Sequence, residues 1–126
     1  MGEHMGREFL AILESMRELD EVREICKRFF LSREYRIIGE SSDLIVFKGG
    51  DLLWTLLGTY RWYKIMKTLA ISLQRSGNIV KIKLNYDISY LALIFPLIKT
   101  IRKEIEELAK NLDAKILKLK GLGIRQ

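Results

Sequence analysis

With 126 residues, 48% of them apolar, the chain can form one domain that buries roughly 65–70% of its unfolded surface, and it is too short for a second independent core. Twenty-two Lys and Arg against 16 Asp and Glu give a formal charge of +6, which favours nucleic acid, phosphates or an acidic membrane surface as partners, although such a charge also serves simply to keep proteins apart in solution. The single cysteine, Cys26, excludes an internal disulfide and any Cys-cluster metal site, and fits a reducing, cytoplasmic compartment.

The opening Met1-Gly2-Glu3-His4-Met5 is short and polar and reads as a cloning remnant or disordered leader, with Met5 as a candidate natural start. It holds the only histidine. The rest of the chain can therefore assemble no Ser-His, Cys-His or His-metal constellation, and no catalytic site is predicted.

Residues 6–31 read as an amphipathic helix, because Phe9, Ile12, Leu13, Met16, Leu19, Val22, Ile25, Cys26 and Phe29 recur at spacings of three and four. Asp20 offers an alternative start for a second helix after a break. Cys26 lies on the apolar stripe, as a buried structural thiol does. Strands follow at 35–39 and 43–48, joined by the turn residues Glu40-Ser41-Ser42. In the second, Leu44 and Val46 share one parity and Ile45 and Phe47 the other, so both faces of the strand require a cover.

Gly49-Gly50 permits a sharp departure from that strand, and Asp51 can cap a helical turn through residues 52–57. Trp54, Tyr60, Arg61, Trp62 and Lys64 then mix aromatics with cations, a combination found at membrane interfaces and in nucleic-acid grooves. The reading favoured first is structural, with Trp54 and the leucines closing the end of the core and Tyr60 and Trp62 packing on the sheet. Lys48-Gly49-Gly50-Asp51 lacks the spacing and the Lys-Ser/Thr of a phosphate-binding loop, and no cofactor is expected.

Residues 64–88 form the firmest element, a hairpin in which Ile65, Leu69, Ile71 and Leu73 share one parity and Val80, Ile82, Leu84, Tyr86 and Ile88 the other. A two-residue loop at Ser76-Gly77 pairs Leu73 with Val80, Ile71 with Ile82 and Leu69 with Leu84, which places every apolar partner on one side. Lys67 falls on the inward parity and is expected at the sheet margin, with its ammonium in water. The outward face carries small and polar residues with Lys81 and Lys83, and no stacking aromatics. It reads as scaffold.

From 89 to 112 the period turns helical. Leu91, Ile94, Ile98, Ile101, Ile105, Leu108 and Leu112 form a heptad seam that suits either the chain's own sheet or a second copy, with the regular helix beginning near Phe95. Residues 113–126 hold Lys115, Lys118 and Lys120 among Ile116, Leu117 and Leu119. They fit a last strand, an amphipathic extension or a basic arm. Gly121-Leu122-Gly123 is too short for a dinucleotide fingerprint.

The predicted fold is α+β: a two-layer α-β-β-β-β-α arrangement over residues 6–112, with a four-stranded, mostly antiparallel sheet, two long helices on one face, and 113–126 as a tail or short terminal element. No apolar run reaches the roughly 20 residues of a membrane span. Scarce Gln and Asn amid 30% charged residues match heat-adapted composition. The function expected first is a non-catalytic, self-associating binding or assembly module. Alternatives are attachment to an anionic membrane through 52–63 and the tail, nucleic-acid binding through Arg61, Lys64, Lys81, Lys83 and the tail lysines, and an apolar small-molecule pocket between sheet and helices.

Overall fold

The computed structural model describes residues 6–51, 64–89 and 95–121. In chain order they form β1 (Gly6–Ser15), α1 (Leu19–Leu31), β2 (Arg36–Glu40), β3 (Leu44–Gly49), β4 (Lys67–Ser76), β5 (Ile79–Ser89), α2 (Phe95–Leu112) and β6 (Lys115–Gly121). The strands make one sheet in the order β2-β3-β4-β5-β1-β6, with every neighbouring pair antiparallel. The α+β class, the antiparallel sheet and the two helices agree with expectation. The strand count does not: the sheet has six strands, not four.

Both extra strands flank the predicted hairpin on one side. Gly6–Ser15 is a strand and not the first half of a helix, since Phe9, Ala11, Leu13 and Ser15 alternate inward while Leu10, Ile12 and Glu14 turn to the other face. Leu10 and Ile12 are themselves apolar, so the strand's two faces together imitate helical spacing. The true helix starts after the break, with Asp20 and Glu21 in its first turn and Arg28 in its last, charges that suit the helix dipole. At the other end of the chain, 115–121 pairs with β1 and becomes the sheet's edge.

The hairpin keeps its predicted faces but not its loop. Leu73 pairs with Ile82, Ile71 with Leu84, and Leu69 with Tyr86, so the connecting pair is Gly77-Asn78. A shift of two preserves side-chain parity, so alternation alone could not resolve it. Gly77 sits at φ +62 while Asn78 stays at negative φ, the pattern of a type II′ turn, whose first central position glycine fills without strain. Lys67 is also not at a wet margin: it pairs with Ile88 on the inward face and is 2% exposed.

Both helices pack on that inward face. Val22, Cys26 and Phe30 of α1 and Ile101, Ile105, Leu108 and Leu112 of α2 bury against Phe9, Leu13, Ile45, Phe47, Leu69, Ile71, Ile82 and Leu84. The heptad seam from Ile101 to Leu112 is thus occupied within one chain, while Leu91 and Ile94 lie outside the described residues. Phe30 anchors an aromatic run, 5.1 Å from Tyr35 and 5.4 Å from Phe47 between ring centroids. Ser15 ties strand to helix by donating to the Leu112 carbonyl at 2.8 Å. No described helix is long and apolar enough to cross a membrane.

Candidate functional site

Two groups of polar side chains stand out, one on each face of the sheet. On the open face, strand pairing sets residues in rows. Lys81 of β5, Glu14 of β1 and Lys115 of β6 form one; Lys83, Ile12 and Lys118 form the next; Asn85, Leu10 and Lys120 form the third. Two files of lysine therefore run along β5 and β6 with β1 between them. Residues two apart on a strand are about 6.6–6.8 Å apart, and the two files are separated by about 9.5 Å. All five lysines are exposed, while Leu10, Ile12 and Glu14 are half-buried between them. None of the five makes an ion pair among the described residues. Glu14 is the only acid in these rows; Glu8 and Asp87, paired with each other, occupy the next row at the far end.

The structure thus brings together Lys81, Lys83, Lys115, Lys118 and Lys120. Lys64 is separate: it is half-buried at the opposite end of the strands, where its carbonyl accepts from Asp51 N–H at 3.0 Å. That bond is possible because Gly50 adopts φ +87, where a Cβ would lie 2.0 Å from the Ile65 carbonyl oxygen. Trp54, Tyr60, Arg61 and Trp62, with the predicted turn at 52–57, lie outside the described residues.

The covered face holds a second group that the sequence reading missed. Glu104 of α2 is fully buried. Its Oε1 accepts from the Tyr35 hydroxyl at 2.9 Å and from the Tyr86 hydroxyl at 2.7 Å, and its Oε2 from Arg33 Nε at 3.1 Å. Arg33 also reaches Glu107 at 3.0 Å and lies 5.0 Å from the Phe29 ring centroid. Burial works against the Arg33 charge, but Glu104 and Glu107 outweigh it and hold the guanidinium above its ordinary pKa. Burial, reinforced by the Glu104 charge, pushes the Tyr86 hydroxyl well above the usual tyrosine range. The carboxylate is thereby fixed by three donors from two separate segments of chain, the connection between α1 and β2 and the strand β5.

Lys67 lies close by, with Nζ donating to the Ile65 carbonyl at 3.0 Å and resting 5.0 Å from the Tyr35 ring centroid. Burial lowers its pKa to about 8, with Glu104 and Glu34 opposing the shift. The position of Glu104 gives a sequence signal: it falls three after Ile101 and four before Leu108, on the apolar stripe, where a charge requires partners. Cys26 is buried, as expected, and burial pushes its thiol up to about 12, which keeps it from acting as a thiolate. Among the described residues no His, Cys, Asp and Glu cluster has the makings of a metal site.

Against known proteins, no family model matches the chain, and no curated protein matches it.

Proposed function

We propose that this protein is a non-catalytic binding module whose working surface is the open face of the sheet, and that its partner is polyanionic. One observation carries this: five exposed lysines from β5 and β6 converge on one face without ion-pair partners among the described residues. Lysine on an edge strand such as β6 also discourages strand addition by another chain. That purpose does not extend to Lys81 and Lys83, which belong to an interior strand. The neighbouring positive charges repel one another within a Debye length of about 8 Å at physiological ionic strength, so an anion gains by relieving that repulsion as well as by direct pairing. The covered face supports the surface from behind, with Leu84 and Ile82 packed inward between and beside Lys81 and Lys83.

Retention on immobilised heparin tests the proposal. The Lys83→Glu, Lys118→Glu double variant is expected to elute at much lower salt than the parent. The charge-matched Lys103→Glu, Lys110→Glu variant, altered on the exposed side of α2, is expected to elute close to it, because a patch and not net charge does the binding. Equal losses in both variants would reject the open face as the binding surface.

A further inference from the structure

We infer that the partner of the lysine face is an extended single strand of nucleic acid, held along β1 by its phosphates and without sequence preference. This rests on the polyanion-docking reading above and narrows it. The supporting geometry is linear. Lys81 and Lys83 stand on one side of β1, and Lys118 and Lys120 on the other, each pair two residues apart on its strand. Their repeat of about 6.7 Å along the strand is comparable with that of an extended sugar-phosphate chain, so successive phosphates can meet successive lysines. Between the files, half-buried Leu10 and Ile12 provide an apolar floor for the faces of sugars or bases. Asn85, beside Leu10, is the one amide in these rows.

Duplex is a poorer fit. A six-stranded sheet is about 24 Å across its strands, whereas the major groove of B-DNA is about 12 Å wide and admits a helix or a two-stranded ribbon. A rigid duplex can therefore touch this face only along one ridge of phosphates. Among the described residues an acidic membrane is also a poorer fit, since the large apolar residues that are exposed, Met16, Leu31, Ile38, Leu44 and Leu117, are spread over α1, three strands and a connection, and Leu117 alone of them is on a lysine-bearing strand of this face. The lack of aromatics on the described part of the face means that binding depends on charge, and so on salt.

If all five lysines meet phosphates of a single strand, log K falls with log salt at a slope of about −3.5, which is roughly a hundredfold loss between 50 and 200 mM salt. Fluorescence anisotropy with a labelled oligothymidylate, a duplex of equal length and vesicles containing an acidic phospholipid provides the test. The inference expects the tightest binding to the single strand, and a slope smaller by about 1.4 for Lys83→Ala, Lys118→Ala. Glu14→Gln, which removes the acid between Lys81 and Lys115, is expected to strengthen binding, a gain that misfolding does not produce. Tighter binding to duplex or vesicles, with heparin retention intact, would overturn this inference and leave the docking face standing. Absence of binding to every probe, heparin included, would overturn both.

Discussion

The two faces of the sheet treat charge in opposite ways. On the covered face, Glu104 and Lys67 are almost completely removed from water and are surrounded by donors, acceptors and aromatic rings supplied by β2's approach, β4, β5 and α2. On the open face, five lysines remain solvated. A buried charge is fixed in one geometry and becomes part of the fold, because any other arrangement leaves it without compensation. A solvated charge costs the fold little and stays available to a partner. The proposed binding accordingly falls on the open face, and the charges of the covered face belong to the fold.

The largest effect that sharpens this contrast is expected from Glu104→Ala. It leaves the hydroxyls of Tyr35 and Tyr86 without their carboxylate and opens a void, and should lower the unfolding free energy in urea by about 3–5 kcal/mol. Glu104→Gln keeps the shape and an acceptor for both hydroxyls, and should lose about 1–2 kcal/mol. A near-neutral Glu104→Ala would mean that the network does not hold the covered face together.

The next effect is a pH dependence. The folded-state pKa of Lys67, about 8, lies below that of the unfolded chain, so the unfolded state binds the proton more tightly and low pH disfavours folding. Stability should therefore rise with pH from about 8 toward 10, by about 2 kcal/mol, and Lys67→Met should lose that rise. Above pH 10 Tyr86 acts in the other direction: its raised folded-state pKa means that the unfolded chain gives up its proton first, and stability falls. Equilibrium unfolding at pH 7.5, 8.5 and 9.5 measures the first window, and a flat profile in the parent would refute the role given to Lys67.

The smallest effects belong to the lysine face. Single changes at Lys81, Lys83, Lys115, Lys118 or Lys120 should alter stability by no more than about 0.5 kcal/mol, as surface substitutions do. Thermal melts of the five alanine variants check this, and a large loss in any of them would assign that lysine to the fold.

How much of this contrast was legible in the sequence differs from element to element. The hairpin's faces followed from the alternation of Leu69, Ile71 and Leu73 with Ile82 and Leu84, because burial imposes period two. Its loop did not, since pairing shifted by two residues satisfies the same alternation, and the backbone freedom of Gly77 makes the choice. β1 was hidden because its outward Leu10 and Ile12, half-buried in the rows between β5 and β6, are as apolar as its inward residues. The lysine face was hidden for the same reason: Lys81 and Lys83 could be placed outward, but only a strand at residues 6–15 brings Lys118 and Lys120 alongside them. Glu104 could have been noticed on the stripe of α2, although its partners Tyr35 and Tyr86 are too distant in sequence to be inferred.

The most direct test of the division between the faces takes both measurements on one variant. Lys83→Glu, Lys118→Glu should keep the parent's unfolding free energy in urea to within about 1 kcal/mol and should lose most of its retention on heparin. Unchanged retention, or a loss of stability comparable with that of Glu104→Ala, would contradict the assignment of binding to the open face.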